Sequence, residues 1–230
     1  MEGGVCFDLN VFMCMLLRVK GYQADVLDGT YCAAPTRHTH VVLLVHNVRY
    51  PGDRHIVDVG TGYPFLELVA VDELPKTYRW AGLEVKYFQE GDYVYRCHRR
   101  GDLREQEKHV MRGEWRQAFD FPLEPVDYDF FRPHMKDVYV NEEDNFFLKT
   151  VRACRFTKHE KSGTVSDISI KDSHHILAAK ERNILLGPMD NLTIQDIRED
   201  EWATQLEQNF PNIPTSKINV AINRYMDLEK

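Results

Sequence analysis

The pattern of apolar and polar residues divides the chain into an opening helix, a long run of short strands and a more polar last quarter. Residues 7–20 have an amphipathic helical pattern. Its predicted core-facing positions are Val11, Met15 and Leu16. Strands are predicted over residues 24–27, 41–48, 56–59, 83–88, 93–97 and 114–121. Many short antiparallel strands between glycine-containing turns are typical of a small barrel or a strongly curled sheet.

After residue 121 the elements are predicted to be fewer and more mixed. A short helix is predicted over residues 128–134, with Pro133 interrupting it. Strands are predicted over residues 146–156 and 166–170, and further helices near Trp202 and over residues 218–228. The acidic turn at residues 141–144 marks a predicted domain boundary.

Cys6 carries the first candidate chemistry, because it stands at the predicted start of the opening helix behind Gly3 and Gly4. A thiol in the first helical turn lies near unpaired backbone N–H groups and the positive end of the helix dipole. Both favour the thiolate, which is the nucleophilic form of cysteine. The glycines let the chain turn tightly and leave the sulfur unshielded. Cys6 is therefore predicted to be an activated nucleophile, provided that a base lies elsewhere in the chain.

A base and a partner for that base are predicted on two neighbouring strands. His40 stands at the entry of the apolar run 41–45. Asp58 interrupts a second apolar run, which is predicted to pair antiparallel with the first. A buried carboxylate needs a partner, and a histidine at the mouth of the neighbouring strand would serve. This arrangement predicts the nucleophile, base and orienting acid of a thiol enzyme.

Three segments in this order resemble the sequence signatures of the arylamine N-acetyltransferases. Residues 3–10 resemble the family's Arg-Gly-Gly-aromatic-Cys-x-x-x-Asn motif, with Gly-Gly-Val-Cys-Phe-Asp-Leu-Asn in this chain. Residues 39–45 and 56–62 look like its histidine and aspartate segments. Weaker similarity continues through residues 115–121, 129–130 and 201–202. Any one motif alone is weak, whereas three in order at compatible spacing are specific.

The resemblance implies that Cys6 accepts an acyl group, that His40 is its base and that Asp58 orients the histidine. It also implies an α+β fold with a cysteine-proteinase-like arrangement, in which a nucleophile-bearing N-terminal helix lies on a curled antiparallel β-barrel and a small α/β C-terminal region follows. The family places several dozen residues before its cysteine and this chain has five, so we expect most of a helical domain to be missing. The predicted domains are residues 1–21 (helical remnant with the nucleophile), 22–140 (barrel with His and Asp) and 141–230 (lid-like α/β domain).

The reaction implied by the resemblance is a ping-pong transfer of an acetyl group from acetyl-CoA to an arylamine or hydrazine. Thr36 and Arg37 stand where the family often has a Ser/Thr-Gly pair that meets the acyl-CoA, and they are predicted to bind this co-substrate. Thr39 and Thr61 are predicted to contact the acceptor, although Thr61 replaces a frequent aromatic residue. Glu2 stands where the family usually has arginine. No metal is expected, and the oligomeric state is not indicated.

Composition disfavours several classes of protein. With 230 residues, 43% of them apolar, the chain is long enough to bury the core of one or two domains. No apolar stretch approaches the length of a membrane span and no signal sequence is apparent, so we expect a cytoplasmic protein without a membrane partner. The five cysteines are scattered and lack C-x-x-C spacing, which favours reduced thiols over a disulfide framework or a zinc cage.

The formal net charge of −7 disfavours nucleic-acid binding, which needs a basic surface. It also means that a polyphosphate co-substrate needs a locally positive or N–H-rich site. Arg96, Arg99 and Arg100 are candidates for that site, although a solvated strand edge explains them equally well.

Three other interpretations stay open. Water in place of the amine would make the protein a thiol hydrolase that uses the same Cys6, His40 and Asp58. An opening helix without its cover would expose apolar surface and leave a catalytically inactive binding module. A zinc site is also permitted, because alternate residues of a strand share a face and imidazole suits zinc. Its ligands would be His38, His40, His55 and Asp58, at a spacing less regular than that of most catalytic zinc sites.

Overall fold

The protein divides into two compact units, Met1–Lys136 and Asp137–Lys230. The predicted boundaries at residues 21 and 140 stay predictions, and residues 142–144 of the acidic turn lie outside the described residues. The structure, a computed structural model, describes residues 4–32, 34, 36–62, 65, 67–80, 83–99, 110–141, 152–160, 168–177, 183–187, 193–196 and 198–228.

The first unit opens with helix α1, Cys6–Val19, one face of which is buried. The buried residues are Cys6, Phe7, Asn10, Val11 and Cys14. Three of them are spaced four residues apart, which keeps them on one face. Met15 and Leu16 were predicted to face the core, but they are 56% and 40% exposed. That prediction was wrong, because both residues lie beyond the edge of the buried face.

Within the described residues, ten antiparallel strands form the curled half-barrel of this unit. In chain order they are β1 Gln23–Tyr31, β2 His40–His46, β3 Arg54–Val57, β4 Val69–Ala70, β5 Lys76–Trp80, β6 Leu83–Glu90, β7 Tyr93–Arg99, β8 Met111–Arg112, β9 Trp115–Pro122 and β10 Pro125–Val126. Their spatial order is β4-β3-β2-β1-β9-β7-β6-β5, with β10 beside β1 and β8 beside β9. The predicted α+β fold class, with an N-terminal helix on a curled antiparallel sheet, is confirmed.

Strand β2 lies deep in this unit, and the helix covers it. Its residues 40–45 are all buried, which fits their continuous apolar run, and α1 packs against both β1 and β2. In the ladder Leu43 lies opposite Val57, so the end of β3 approaches the start of β2. The two predicted chemical residues next to these strand ends, His40 and Asp58, are therefore brought together by the register.

The division between the units falls within α2, Arg132–Val140. In the second unit four antiparallel strands of the described residues follow in chain order, β11 Arg152–Glu160, β12 Ile168–Leu177, β13 Asn183–Gly187 and β14 Thr193–Asp196. They precede α3, Trp202–Asn209, and α4, Thr215–Leu228, which contact each other. No helix in the described part of the chain is long and apolar enough to cross a membrane.

Two predicted elements differ from the observed ones. Pro133 was predicted to interrupt a helix, but a 3-10 turn at Tyr128–Phe131 leads into α2 and Pro133 lies in its first turn. A missing N–H costs little there, because the first N–H groups of a helix have no intrahelical acceptor. The strand predicted over 146–156 is observed only from Arg152, since residues 146–151 lie outside the described residues.

Phe7 and Phe131 fasten α1 to the segment that precedes α2. Both side chains are fully buried, and their ring centroids are 5.7 Å apart in an edge-to-face arrangement. Aromatic pairs in this geometry add to the stabilisation that area burial already provides. The pair thus supports the helix end that carries Cys6.

Replacing Phe131 by alanine is expected to lower the free energy of unfolding by about 3–5 kcal/mol, because a buried ring is removed and a cavity is left. Phe12 on α1 is a matched control, since its side chain is 61% exposed. Phe12→Ala is expected to change the free energy by less than about 0.5 kcal/mol. Chemical denaturation measures both values, and equal losses in the two variants would contradict this packing.

Candidate active site

Cys6 is the first residue of α1 and its side chain is almost completely buried. The backbone N–H of the N-cap residue, Val5, donates to Oδ2 of Asp8 at 3.0 Å, which is one half of a capping box. A Cβ on Gly4 would lie 2.6 Å from the Cβ of Asp8, so glycine is required for this approach. Cys6 Sγ lies 3.7 Å from the carbonyl oxygen of Thr39 and donates to it. Glu2 and Gly3 lie outside the described residues.

His40 begins β2 and is fully buried. Its Nε2 lies 2.7 Å from Oδ2 of Asp58. Its ring packs against Tyr31 and Phe119, with centroid distances of 4.7 and 4.6 Å. Because Nε2 is bound to the carboxylate, Nδ1 is the nitrogen left to exchange a proton with Cys6.

Asp58 directly follows β3 and is also fully buried. One carboxylate oxygen, Oδ2, accepts from His40. The other, Oδ1, accepts from Nδ2 of Asn10 at 2.9 Å and from the backbone N–H of Gly60 at 3.0 Å. Three donors thus satisfy a carboxylate that would otherwise be costly to bury.

Asn10 completes this group, and the sequence motif gave no role for it. It lies on α1 one turn after Cys6 and is fully buried. Its Nδ2 donates to the Val41 carbonyl oxygen at 2.6 Å as well as to Asp58, and its Oδ1 accepts from the Val59 N–H at 2.8 Å. The signal in the sequence is a polar residue four positions after the cysteine, on an otherwise apolar helix face.

Gly60 allows α1 to approach the loop after Asp58. A Cβ at this position would lie 2.7 Å from the Cys6 Cα, 2.8 Å from the Cys6 Cβ and 2.7 Å from Asn10 Nδ2. Real Cβ atoms do not approach other atoms this closely, so any larger residue must push the helix away. Because Gly60 has no side chain, Cys6 can lie close to the loop that follows Asp58.

His40 and Asp58 keep each other charged within the buried site. Burial alone lowers the pKa of His40, but the charge of Asp58, that of Cys6 and the hydrogen bond to Asp58 outweigh burial and raise it to about 10. Burial alone raises the pKa of Asp58, but the charge and hydrogen bond of His40 keep it below its usual range. At neutral pH His40 is thus an imidazolium, the partner that a thiolate nucleophile needs.

Thr36 and Arg37, the predicted co-substrate residues, line a cavity of about 610 Å³. Arg37 lies 3.6 Å from Asp120 through its guanidinium, and a second arginine, Arg112, is stacked on Tyr95 at 3.9 Å from the ring centroid. The cavity is lined by Thr30, Tyr31, Cys32, Ala34, Thr36, Arg37, Tyr93, Tyr95, Val110, Arg112, Gln117 and Asp120. Its wall includes Tyr31, whose ring also packs against His40.

Thr39 and Thr61, the predicted acceptor residues, lie near Cys6 in the chain fold. The Thr39 hydroxyl accepts from the Tyr31 N–H at 3.0 Å, and it is the carbonyl of Thr39 that meets the sulfur. Thr61 is half-buried and follows Gly60. Neither residue lines the cavity beside Thr36.

The predicted phosphate contacts on β7 are not supported. Arg96 is 1% exposed and lies between aromatic rings, so it cannot meet a ligand from solvent. Arg99 is paired with Glu84, and Arg100 lies outside the described residues. Among the described residues no group of three or more His, Cys, Asp or Glu side chains is arranged to hold a metal ion.

The sequence model of the N-acetyltransferase family matches residues 1–213 of the chain. No curated protein sequence matches this chain at a significant level. Solved structures of arylamine N-acetyltransferases are similar in fold. The enzyme from Mycobacterium abscessus has a TM-score of 0.69 at 16% identity, with 98% of this chain and 73% of that chain covered.

Two further structures add chemical detail about those relatives. The Mycobacterium marinum enzyme in complex with CoA has a TM-score of 0.68 at 18% identity, over 97% of this chain and 77% of that chain. A Bacillus cereus enzyme with a Cys-His-Glu catalytic triad has a TM-score of 0.60 at 18% identity, over 90% of this chain and 73% of that chain. At these identities the similarity establishes the fold.

Replacing Asn10 by alanine is expected to lower the free energy of unfolding by about 2–4 kcal/mol, because buried groups of Val41, Asp58 and Val59 lose their partner. Met15→Ala on the exposed side of the same helix is the control, with an expected change below about 0.5 kcal/mol. Thermal and denaturant unfolding measure both variants. If Asn10→Ala proved as mild as the control, the network around Asp58 would not be stabilising the fold.

The raised pKa of His40 also predicts how stability depends on pH. The charged ring stabilises the folded state fully below the ordinary histidine pKa of about 6.5, and this contribution is lost as the pH rises through about 10. We therefore expect the difference in unfolding free energy between the wild type and His40→Gln to shrink over that range. Denaturant titrations across it provide the test, and a difference that grows with pH would show that the ring is neutral in the folded protein.

Proposed function

This chain belongs to the N-acetyltransferase family and is an acyltransferase, and we propose that it transfers an acetyl group from acetyl-CoA to an arylamine or hydrazine through an acyl-cysteine. The observation that carries the proposal is the 2.7 Å contact of buried His40 with the Asp58 carboxylate, which leaves His40 Nδ1, beside the helix start that carries Cys6, without a hydrogen-bond partner among the described residues. A thiol, a base and an orienting acid in contact are the group that acyl transfer through sulfur requires.

In the first half-reaction the Cys6 thiolate attacks the thioester carbonyl carbon of acetyl-CoA. The carbon–sulfur bond to CoA then breaks, and the leaving CoA sulfur takes a proton from Nδ1 of His40. The product is an acetyl thioester on Cys6. Asp58 keeps its bond to Nε2 throughout and thereby fixes which nitrogen handles the proton.

In the second half-reaction the nitrogen of the amine attacks the acetyl carbon. Nδ1 of His40 accepts the proton that the amine nitrogen loses, and the bond to Cys6 breaks to restore the thiolate. The imidazolium and the thiolate are then ready for another acetyl-CoA. The proton count balances over the two steps without any other titrating group.

A place for the negative oxygen of the tetrahedral intermediate also follows from the helix. The backbone N–H of Cys6 belongs to the first turn of α1, where N–H groups lack intrahelical acceptors. It points to the same end of the helix as the sulfur and is suited to donate to the oxyanion. A loop N–H nearby would supply a second donor.

The cavity beside Thr36 and Arg37 is the proposed site of CoA. Its volume of about 610 Å³ is in the usual range for sites of small ligands. Arg37 and Arg112 place two guanidinium groups at its wall, each beside a carboxylate, with Arg37 3.6 Å from Asp120 and Arg112 2.7 Å from Glu90. Tyr31 forms part of its wall and packs on His40, so a ligand there would end one ring away from the base. The CoA complex of the Mycobacterium marinum relative supports the choice of ligand.

The experiment is to mix the protein with acetyl-CoA and locate the acetyl group by peptide mass spectrometry. We expect an adduct on Cys6 that is absent from Cys6→Ser and from His40→Gln. Cys14→Ser is the matched control, because Cys14 is buried on the same helix face, two turns later, and should leave the adduct in place. A folded wild type that forms no adduct on Cys6 would refute the proposal.

A second measurement separates transfer to an amine from hydrolysis. With acetyl-CoA in excess, an added arylamine is expected to increase the steady-state rate of CoA release, because it removes the acetyl group from Cys6 and frees the thiolate for another acetyl-CoA. Release that does not respond to amine would mean that water is the acceptor, and the protein would then be a thiol hydrolase with the same three residues.

A further inference from the structure

Arg96 is a fully buried cation close to the candidate active site, and the mechanism above does not use it. It lies on β7 and is 1% exposed. Long charged side chains are almost never buried this far unless a charge or polar group nearby requires them. Its guanidinium carbon lies 5.3 Å from the centroid of Phe119 and 5.9 Å from that of Tyr87.

The strand register explains how Arg96 reaches this position. Tyr87, Arg96, Phe119 and Tyr31 form one row across β6, β7, β9 and β1. Immediately after Arg96 the register between β7 and β9 shifts, which leaves Ala118 without a partner in the ladder. Residues paired directly across neighbouring strands share a face of the sheet, so Arg96 is buried on the same face as Tyr87 and Phe119.

The ring of Phe119 in this row of residues lies between Arg96 and His40. Phe119 packs on the guanidinium of Arg96 and, 4.6 Å away, on the ring of His40. The positive charge of Arg96 also helps to keep the pKa of Asp58 low, after the larger contribution of His40. Arg96, His40 and Asp58 therefore share one buried electrostatic environment.

Arg96 changes the net charge of the buried region around Asp58 and His40. Ionised Asp58, protonated His40 and Arg96 together carry one net positive charge in a buried region. When Cys6 becomes a thiolate the sum is zero, and it stays zero while the negative charge is on the oxyanion. Without Arg96 the same step would create a net negative charge out of contact with water, which is costly.

We propose that Arg96 is a positioning residue for acetyl transfer, whose buried charge balances the thiolate of Cys6 and the oxyanion that follows it. The inference rests on the proposed function. It assigns to Arg96 an electrostatic role through Asp58 and His40, without contact to the substrate.

The other titratable groups around this region do not duplicate Arg96. Tyr87 and Tyr78 are buried, and burial raises the pKa of both phenols, so they stay neutral at physiological pH. Tyr31 packs on His40 from β1. The groups that face the cluster are Cys6 from α1, Tyr31 from β1, His40 from β2, Asp58 after β3, Tyr78 from β5, Tyr87 from β6 and Arg96 from β7.

The test is the pH dependence of alkylation of Cys6 by iodoacetamide, read by peptide mass spectrometry on folded protein. Arg96→Met is expected to raise the midpoint by about one pH unit, which is about a tenfold slower alkylation below it. Arg96→Lys retains the charge and is expected to stay within about threefold of the wild-type rate. Arg116→Met, which removes another buried arginine of the same sheet, is expected to leave the midpoint unchanged.

The proposal is overturned if folded Arg96→Met keeps the wild-type midpoint, or if Arg96→Lys shifts it as far as Arg96→Met does. Should Arg96→Met not fold, the double variant Arg96→Met with Asp58→Asn decides the matter. Recovery of cooperative unfolding supports the electrostatic coupling of Arg96 to Asp58 on which the proposal depends, and no recovery overturns it. Alkylation needs no acetyl transfer, so failure of the wild type to accept an acetyl group would refute the proposed function separately.

Discussion

The structure around Cys6 depends on the need to satisfy one ionised carboxylate that water cannot reach. Asp58 is fully buried, and its two oxygens accept from His40, Asn10 and Gly60. These donors come from the start of β2, from α1 and from the loop after β3. Because a buried carboxylate with a missing donor is costly, the three segments must meet at this point for the chain to fold. The nucleophile is placed as a consequence, since Cys6 is one helical turn from Asn10.

The same burial determines the chemistry of the histidine. Rings of Tyr31 and Phe119 enclose His40, so its charge is set by Asp58 and Cys6 and little by solvent. In such surroundings charges interact strongly, and the imidazolium is held in one orientation. If His40 is the base, as we propose, its fixed orientation and tautomer mean that no rearrangement is needed when the sulfur attacks. The stability of the core and the readiness of the site therefore have the same physical origin.

Sequence reasoning located residues whose type and immediate neighbours suffice to single them out. Cys6, His40 and Asp58 each stand at the end of a recognisable apolar element, and the structure brings His40 and Asp58 into contact, while the catalytic roles of the three residues stay predictions. Asn10 and Arg96 were missed or misassigned, because their partners lie on distant segments of the chain. The exposure of Met15 was not predicted, because helical periodicity indicates which face of a helix is buried but not how wide that buried face is. The two-residue strands β4, β8 and β10 are too short to show any period.

Local charge matters more than net charge for the binding of a polyphosphate co-substrate that we propose for this acidic chain. The net charge of −7 belongs to the whole chain, whereas binding and catalysis depend on the field within a few ångströms. Arg37 and Arg112 lie at the cavity beside Asp120 and Glu90, and Arg96 is separated from His40 by the ring of Phe119, so cationic groups lie close to both proposed anion sites. Surface charges are screened by salt, but the buried cation is not. For the function that we propose, local preorganised charge, and not the overall balance of acidic and basic residues, is thus the property that would stabilise an anionic intermediate.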